Sequence, residues 1–162
     1  MRKRFLAGLV LLAATFAIST PLTAQTSDPT IGTWKLNVAK SKYDPANLAP
    51  KSQSVKVEAI AGGGLKFTAD SVDSEGKAGH SVLTTMFDGK PSDVTGATDA
   101  KTTRVYKRID ARTYEFVQSV AGKVATTTRT VISADGKTRT NTTTGKNTQG
   151  QTVHNVVVYD KQ

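Results

Sequence analysis

The feature that most constrains this chain is a repeated alternation of apolar and polar residues, broken at short intervals by Gly, Asp and Pro. It begins at Ile31-Gly32-Thr33-Trp34-Lys35-Leu36-Asn37-Val38, which contains the only tryptophan. In an extended strand Gly32, Trp34, Leu36 and Val38 share one face, because side chains alternate with period two. We expect that face to point inward and Trp34 to lie in the core.

Eight further segments have the same character, so the sequence predicts nine strands. Val55 and Val57 share the apolar face of the second strand, and Leu65, Phe67 and Ala69 are expected to face inward on the third. Short turns join most of the strands, and Asp135-Gly136 is the clearest hairpin signal, since Asp-Gly supplies the positive φ angles that such turns need. Two longer connections, 39–52 and 88–100, are expected to be irregular. The predicted strands after the first span approximately 53–60, 65–70, 79–87, 102–109, 114–120, 123–132, 138–144 and 151–160.

Short connections favour antiparallel pairing between sequential strands. A meander of this length leaves two unpaired edges unless its last strand pairs with its first. We therefore predict an all-β fold, an antiparallel up-and-down β-barrel of about 8–10 strands. The alternative is a two-sheet β-sandwich.

The first 24 residues have the pattern of a secretory signal peptide. Arg2-Lys3-Arg4 precedes an apolar run of 14 residues, Phe5 to Ile18, which is shorter than the about 20 residues that span a bilayer. Ala24 provides a small residue at the cleavage site. The alternative is an uncleaved membrane anchor. We expect residues 1–24 to be removed and 25–162 to form a single domain that is periplasmic or secreted.

The net charge indicates which classes of binding partner to expect, and the absence of cysteine excludes some kinds of chemistry. After removal of the signal, 19 basic and 13 acidic residues remain, a net charge of +6. Nucleic acid is not expected as a partner of an exported protein, whereas an anionic envelope surface or an anionic small ligand is. The chain has no cysteine, which excludes disulfides and thiol catalysis. We expect a monomer.

No catalytic constellation is evident. The G-x-S-x-G motif of serine hydrolases is absent, and Glu58 and Glu115 each lie on the polar side of an alternating strand, where exposure is expected. His80 and His154 have no spacing that indicates a zinc site. We expect a protein that is not an enzyme and that has no metal or cofactor.

Candidate ligand-binding residues lie on the later strands. Arg104, Tyr106 and Arg108 share one face of a strand. If that face points inward, two guanidinium groups could hold a carboxylate or phosphate; if outward, they form a basic stripe that faces the anionic envelope. Val105 and Ile109 on the opposite face favour the outward orientation.

The strands around Thr128 are polar on both faces. Thr126, Thr128 and Thr130 share one face and Thr127 and Arg129 the other, so whichever face points inward is not apolar. Either the core is built mainly by the first four strands with Tyr114, Phe116 and the C-terminal valines, or the lumen is partly polar and holds water or a ligand of mixed polarity. In the second case Phe116 and Thr128 join the candidate binding residues.

Gly32-Thr33-Trp34, the proline-containing connection after it and the strand meander resemble the calycin pattern of lipocalins, fatty-acid-binding proteins and nitrobindin-like barrels. More narrowly, the chain is similar to small exported bacterial proteins called lipocalin-like. The resemblance implies a barrel in which Trp34 packs across the closed end, with Gly32 allowing close approach. The nitrobindin-like barrels bind haem through a histidine, which would make His154 the counterpart here.

The sequence thus predicts an exported, non-enzymatic binding protein that holds an amphipathic or anionic small molecule in a barrel lumen. The alternative is a cell-envelope interaction module that binds an anionic polymer or protein and has no internal ligand. A haem-binding barrel is a third possibility.

Overall fold

The computed structural model describes residues 28–96 and 100–162, and these residues form one antiparallel sheet of ten strands. The strands are β1 (Gly32–Leu36), β2 (Ser52–Ala59), β3 (Leu65–Val72), β4 (Ala78–Thr85), β5 (Pro91–Val94), β6 (Thr102–Arg108), β7 (Thr113–Val120), β8 (Lys123–Ile132), β9 (Thr138–Lys146) and β10 (Thr152–Lys161). The long β1–β2 connection contains two short 3-10 turns, Val38–Lys40 and Ala46–Leu48.

The sheet closes on itself as a nearly complete up-and-down barrel. Consecutive strands pair with each other, apart from β4 and β5, and β1 also pairs with β10. Between β4 and the residue after β5 there is only a bridge, formed by Val82 and Thr95. Two backbone hydrogen bonds of 2.9 Å form that bridge. The barrel prediction, with the last strand paired to the first, is confirmed, and the sandwich alternative is wrong.

Two local predictions need correction. The connection 88–100 was expected to be irregular, but Pro91–Val94 forms β5 and pairs with β6. Proline at the first residue of a short strand is compatible with pairing because its missing N–H falls at the strand end. Val38 was expected inside with Trp34, but β1 ends at Leu36 and Val38 is 49% exposed in the following 3-10 turn.

Alternation places the other predicted core residues inside. Val55, Val57, Leu65 and Phe67 are buried on β2 and β3, as predicted. Aromatic side chains from the two halves of the barrel meet in the centre, where the Phe67 ring stacks on Tyr106 at a centroid distance of 5.6 Å. These contacts form a continuous apolar core over one end of the barrel.

That end, the closed end, is sealed around Trp34. The indole is fully buried, and its Nε1 donates a 2.8 Å hydrogen bond to the carbonyl oxygen of Thr30. The Nζ of Lys161, near the end of β10, lies 5.0 Å from the centroid of the Trp34 ring. Gly32 has φ +133°, and a Cβ there would lie 2.6 Å from Cε of Lys161, so glycine permits this close approach.

The predicted signal segment 1–24 lies outside the described residues. Within the described part of the chain, no helix has the length and apolar character needed to cross a membrane.

Candidate functional site

A cavity of about 410 Å³ occupies the barrel lumen on the far side of the aromatic core from Trp34. Its mouth is bordered by Leu48 of the β1–β2 connection and by Asn147 and Thr148 of the β9–β10 turn. We call this opposite end of the barrel the open end. The volume lies in the range of pockets that hold small organic ligands.

One side of the lumen is mostly apolar. Five of the seven lining residues of β2 to β5 are apolar, namely Val55, Phe67, Ala69, Leu83 and Val94, and the other two are Gln53 and Ser81. We call the five apolar residues the apolar wall. Its residues come from alternating positions of neighbouring strands, so the side chains form a continuous surface.

The opposite side is polar and comes from β6 to β9. Thr128 and Thr143 face each other across β8 and β9, and their hydroxyl oxygens lie 2.8 Å apart in a hydrogen bond. Asn141 accepts a 2.9 Å hydrogen bond from Thr130 through Oδ1. Together with Gln118, the lumen-lining residues Thr128, Asn141 and Thr143 form what we call the polar wall. The two sequence-based alternatives therefore both describe part of the barrel: the core draws largely on the first four strands with Tyr114, Phe116 and Val157, and the lumen beside it is partly polar.

Arg139 is the most unusual residue of this lumen. It is 5% exposed, and its Nε donates a 3.2 Å hydrogen bond to Oδ1 of Asn141. The guanidinium carbon lies 5.3 Å from the centroid of the Tyr159 ring. Its Nη1 is buried without a hydrogen-bond partner among the described residues. Burial of a charge costs free energy unless the charge is paired. An anionic partner beside this guanidinium would therefore be stabilising.

A second guanidinium, that of Arg104, enters the lumen from β6. Its Nε donates a 2.9 Å hydrogen bond to Oε1 of Gln118, and its guanidinium carbon lies 4.9 Å from the centroid of the Phe116 ring. No Asp or Glu is among the described residues that line the cavity. Neither arginine has a carboxylate within 4.0 Å in the described part of the chain. The lumen is therefore electropositive.

Two tyrosines accompany the guanidinium groups. Burial raises the pKa of both Tyr106 and Tyr159, while Arg104 and Arg139 oppose that rise through their positive charges. The Tyr159 hydroxyl donates a hydrogen bond to Oε1 of Gln53. Both phenols are neutral at physiological pH, so they leave the positive charge of the arginines uncompensated.

Four of the five predicted ligand-binding residues line this cavity: Arg104, Tyr106, Phe116 and Thr128. The outward orientation favoured for the Arg104 face is wrong, because Tyr106 is buried and Ile109 on the other face is 43% exposed. Alternation alone misled the prediction, since β-branched residues are also favoured on the outer faces of strands.

Arg108, the fifth residue, lies at the closed end. Its Nη2 lies 2.7 Å from Oδ2 of Asp28, and its guanidinium carbon lies 4.2 Å from the centroid of the Phe87 ring. It is absent from the cavity lining. The two arginines on this face of β6 therefore have different environments. Arg104 lines the lumen, and Arg108 forms an ion pair with Asp28 in the segment before β1.

The remaining candidates lie on the outside of the barrel. His154 is exposed, between the lumen-lining Val153 and Asn155, so its side chain points away from the cavity. His80 is exposed and forms a 2.6 Å contact with Asp70. Among the described residues no group of three or more His, Cys, Asp or Glu side chains could hold a metal ion.

The two glutamates considered for catalysis are also on the outer face, and they do not meet. Glu58 forms an ion pair with Lys56 and Glu115 one with Arg129, each at 2.7 Å.

No protein-family model matches this sequence, and a search of curated proteins finds none that matches it. The interpretation of the cavity therefore depends on its own geometry.

Sequence reasoning missed Arg139 and Asn141. The threonines at 138, 140 and 142 drew attention to one face of β9, but that face points outward and the intervening residues line the lumen. The register in the structure, which pairs Thr128 with Thr143, determines the inward face of β9, and the polar sequence of this strand alone does not distinguish its two faces.

Proposed function

We propose that this protein is an exported binding protein that holds a small anionic, amphipathic molecule non-covalently in its barrel lumen. The observation that carries the proposal is Arg139, a buried guanidinium that borders an open cavity and has no counter-ion among the described residues. An anionic group of a ligand would supply the missing charge and hydrogen bonds. The adjacent apolar wall would contact the rest of the ligand.

Arg104 supports the same interpretation. Its guanidinium lines the same lumen, and the charges of both arginines oppose the rise that burial causes in the pKa of Tyr106 and Tyr159. Two guanidinium groups in one water-restricted space attract a carboxylate, sulfonate or phosphate more strongly than either would alone. The absence of acidic residues from the described lining leaves that attraction unopposed.

The alternative function, an envelope module without an internal ligand, relied on an outward basic stripe at Arg104, Tyr106 and Arg108. Two of these side chains line the lumen and the third is engaged with Asp28. The lumen also contains a cavity rather than a filled core. These features favour the ligand carrier over the interaction module.

Export and family remain part of the proposal. We propose a lipocalin-like protein, acting as a monomer in the periplasm or outside the cell after cleavage behind Ala24. The Trp34 seal at the closed end and the pairing of β1 with β10 are consistent with the resemblance seen in the sequence. Mass measurement of the protein from its own envelope fraction tests cleavage, since the expected mature chain begins at Gln25.

Native mass spectrometry of the gently purified mature protein tests the binding function. We expect a reproducible adduct that is lost on denaturation, and a negatively charged small molecule in the released material. The Arg139→Met variant should lose the adduct, whereas Arg129→Met, which removes a surface arginine paired with Glu115, should retain it. Equal adduct occupancy in both variants, or a released molecule that is neutral or cationic, contradicts the proposal.

A further inference from the structure

The lumen has two walls of opposite chemical character that face each other across the cavity. The lining of β2 to β5 is mostly apolar, with Gln53 and Ser81 as its polar members, whereas eight of the twelve lining residues of β6 to β9 are polar or charged. Each wall therefore belongs to neighbouring strands in one half of the barrel. A lumen that selected only for a flexible alkyl chain would gain more from apolar side chains on all sides. The separation of apolar and polar walls therefore indicates how apolar and polar groups are arranged on the ligand.

The polar wall presents hydrogen-bonding groups along its surface. The hydroxyls of Thr128 and Thr143 bond to each other, which leaves each oxygen with further capacity to accept. Asn141 uses Oδ1 for Thr130 and Arg139, and its amide nitrogen has two donors. Hydroxyl groups of a ligand would match these atoms.

Phe116 is the largest of the apolar lining residues on the polar half, which also include Val120 and Ala125. Phe116 lies between Gln118 and Tyr114 on β7, but the Arg104 guanidinium stands 4.9 Å from its ring centroid. The surface offered to a ligand there is therefore cationic as well as aromatic. The positive charge of the lumen thus belongs to the same half as its hydrogen-bonding groups.

We propose that the natural ligand is a facially amphipathic monoanion: a rigid or semi-rigid skeleton with one apolar face, hydroxyl groups on the other face, and an acidic group bound by Arg139 and Arg104. The inference rests on the proposed function and deepens it by specifying the ligand class. Hydroxylated steroid acids are one chemical example of the class. Straight-chain fatty acids lack the hydroxylated face and fall outside it.

The test compares three probes by displacement of a fluorescent lumen dye: cholate, which carries its hydroxyls on one face, lithocholate, which has the same skeleton with fewer hydroxyls, and palmitate. We expect wild-type protein to bind cholate more tightly than lithocholate. A site built to hydrogen-bond ligand hydroxyls discriminates against an analogue that lacks them, because its polar groups are then left unpaired.

Two double variants provide a matched comparison. Thr128→Val/Thr143→Val replaces both members of the lumen hydrogen bond with groups of similar shape, a change that is nearly neutral for stability when both partners are exchanged. Thr127→Val/Thr144→Val makes the same change at the neighbouring cross-strand pair on the outer face. The lumen pair should lower the preference for cholate over lithocholate about tenfold, and the outer pair should leave it unchanged.

The binding results distinguish a failure of the inferred ligand class from a failure of the proposed binding function. If palmitate binds and neither steroid acid does, or if lithocholate binds wild-type protein as tightly as cholate, the lumen carries anions but the facial inference is wrong. An equal effect of the two double variants on the cholate preference also overturns it. If none of the three acids binds, the proposed function fails together with this inference.

Discussion

Lys161 and Trp34, which lie at opposite ends of the described chain, meet at the closed end of the barrel. The ammonium group is 5.0 Å from the centroid of the indole ring and 3.3 Å from the carbonyl oxygen of Pro29. It therefore joins β10, β1 and the segment that precedes β1. This contact seals the end of the barrel opposite the cavity mouth.

Replacing Lys161 with methionine should keep the aliphatic cover of the indole but remove the cation–π contact and the hydrogen bond. We expect the free energy of unfolding to fall by about 1 kcal/mol. Urea titration followed by the fluorescence of the single tryptophan measures it. Lys123→Met, at the exposed first residue of β8, is the control. Equal stability of the two variants would mean that Lys161 does not contribute to the seal.

The ion pair between Asp28 and Arg108 should stabilise the N-terminal segment. The two side chains are about three-quarters buried and lie 2.7 Å apart, so solvent screens them less than a surface pair. A double-mutant cycle with Asp28→Asn and Arg108→Gln should give a coupling energy of about 1 kcal/mol. A coupling energy near zero would show that the pair contributes nothing beyond its separate side chains.

Arg139 should lower the free energy of unfolding of the ligand-free protein, although it contributes to the ligand binding that we propose. Because its guanidinium is buried without a counter-ion, Arg139→Met should leave the free energy of unfolding of ligand-free protein unchanged or raise it by up to about 2 kcal/mol. Chemical denaturation of delipidated protein gives the value, with Arg129→Met as the surface control. A loss of stability greater than that of the control would assign Arg139 a structural role instead.

Stability should decline at alkaline pH because of the lumen tyrosines. Burial raises the pKa of Tyr159 and Tyr106 in the folded state, so above about pH 10, the usual value, the unfolded chain releases protons that the folded chain keeps. Each neutral phenol therefore makes its full contribution to the free energy of unfolding below about pH 10. That contribution is lost as the pH rises toward the pKa of the folded state, by up to about 1.4 kcal/mol per pH unit.

Urea midpoints measured between about pH 8 and pH 11 test this effect. Tyr159→Phe should flatten the alkaline decline, because the phenylalanine cannot ionise. An unchanged slope would mean that Tyr159 ionises as readily in the folded protein as in the unfolded chain.

Much of the architecture was predictable from local patterns. Alternation correctly placed Val55, Val57 and Phe67 inside, because apolar side chains on those strands share one face and polar side chains share the other. The pairing of β1 with β10 followed from the need to remove sheet edges. β5 was missed because it is only four residues long and lies in a segment with turn residues on both sides.

The binding site was predictable only in part. Both faces of β6 mix polar with apolar side chains, and β9 has no apolar side chain on either face, so no local pattern decides which face is buried. Tyr106 and Arg139 face inward because their strands are fixed by pairing to neighbours, β6 to β7 and β9 to β8 and β10. A charged residue such as Arg139 is ordinarily assigned to the surface, and only the assembled barrel shows otherwise.

The pairing of β1 with β10 also limits the order in which the chain can fold. The cover of Trp34 includes Lys161, so the seal at the closed end cannot form until almost the entire sequence is available. Contacts between such distant segments slow folding, because the loop between them must be closed first. A chain of this topology completes its barrel only when its last strand is available, and the export that we propose would require it to remain unfolded until then.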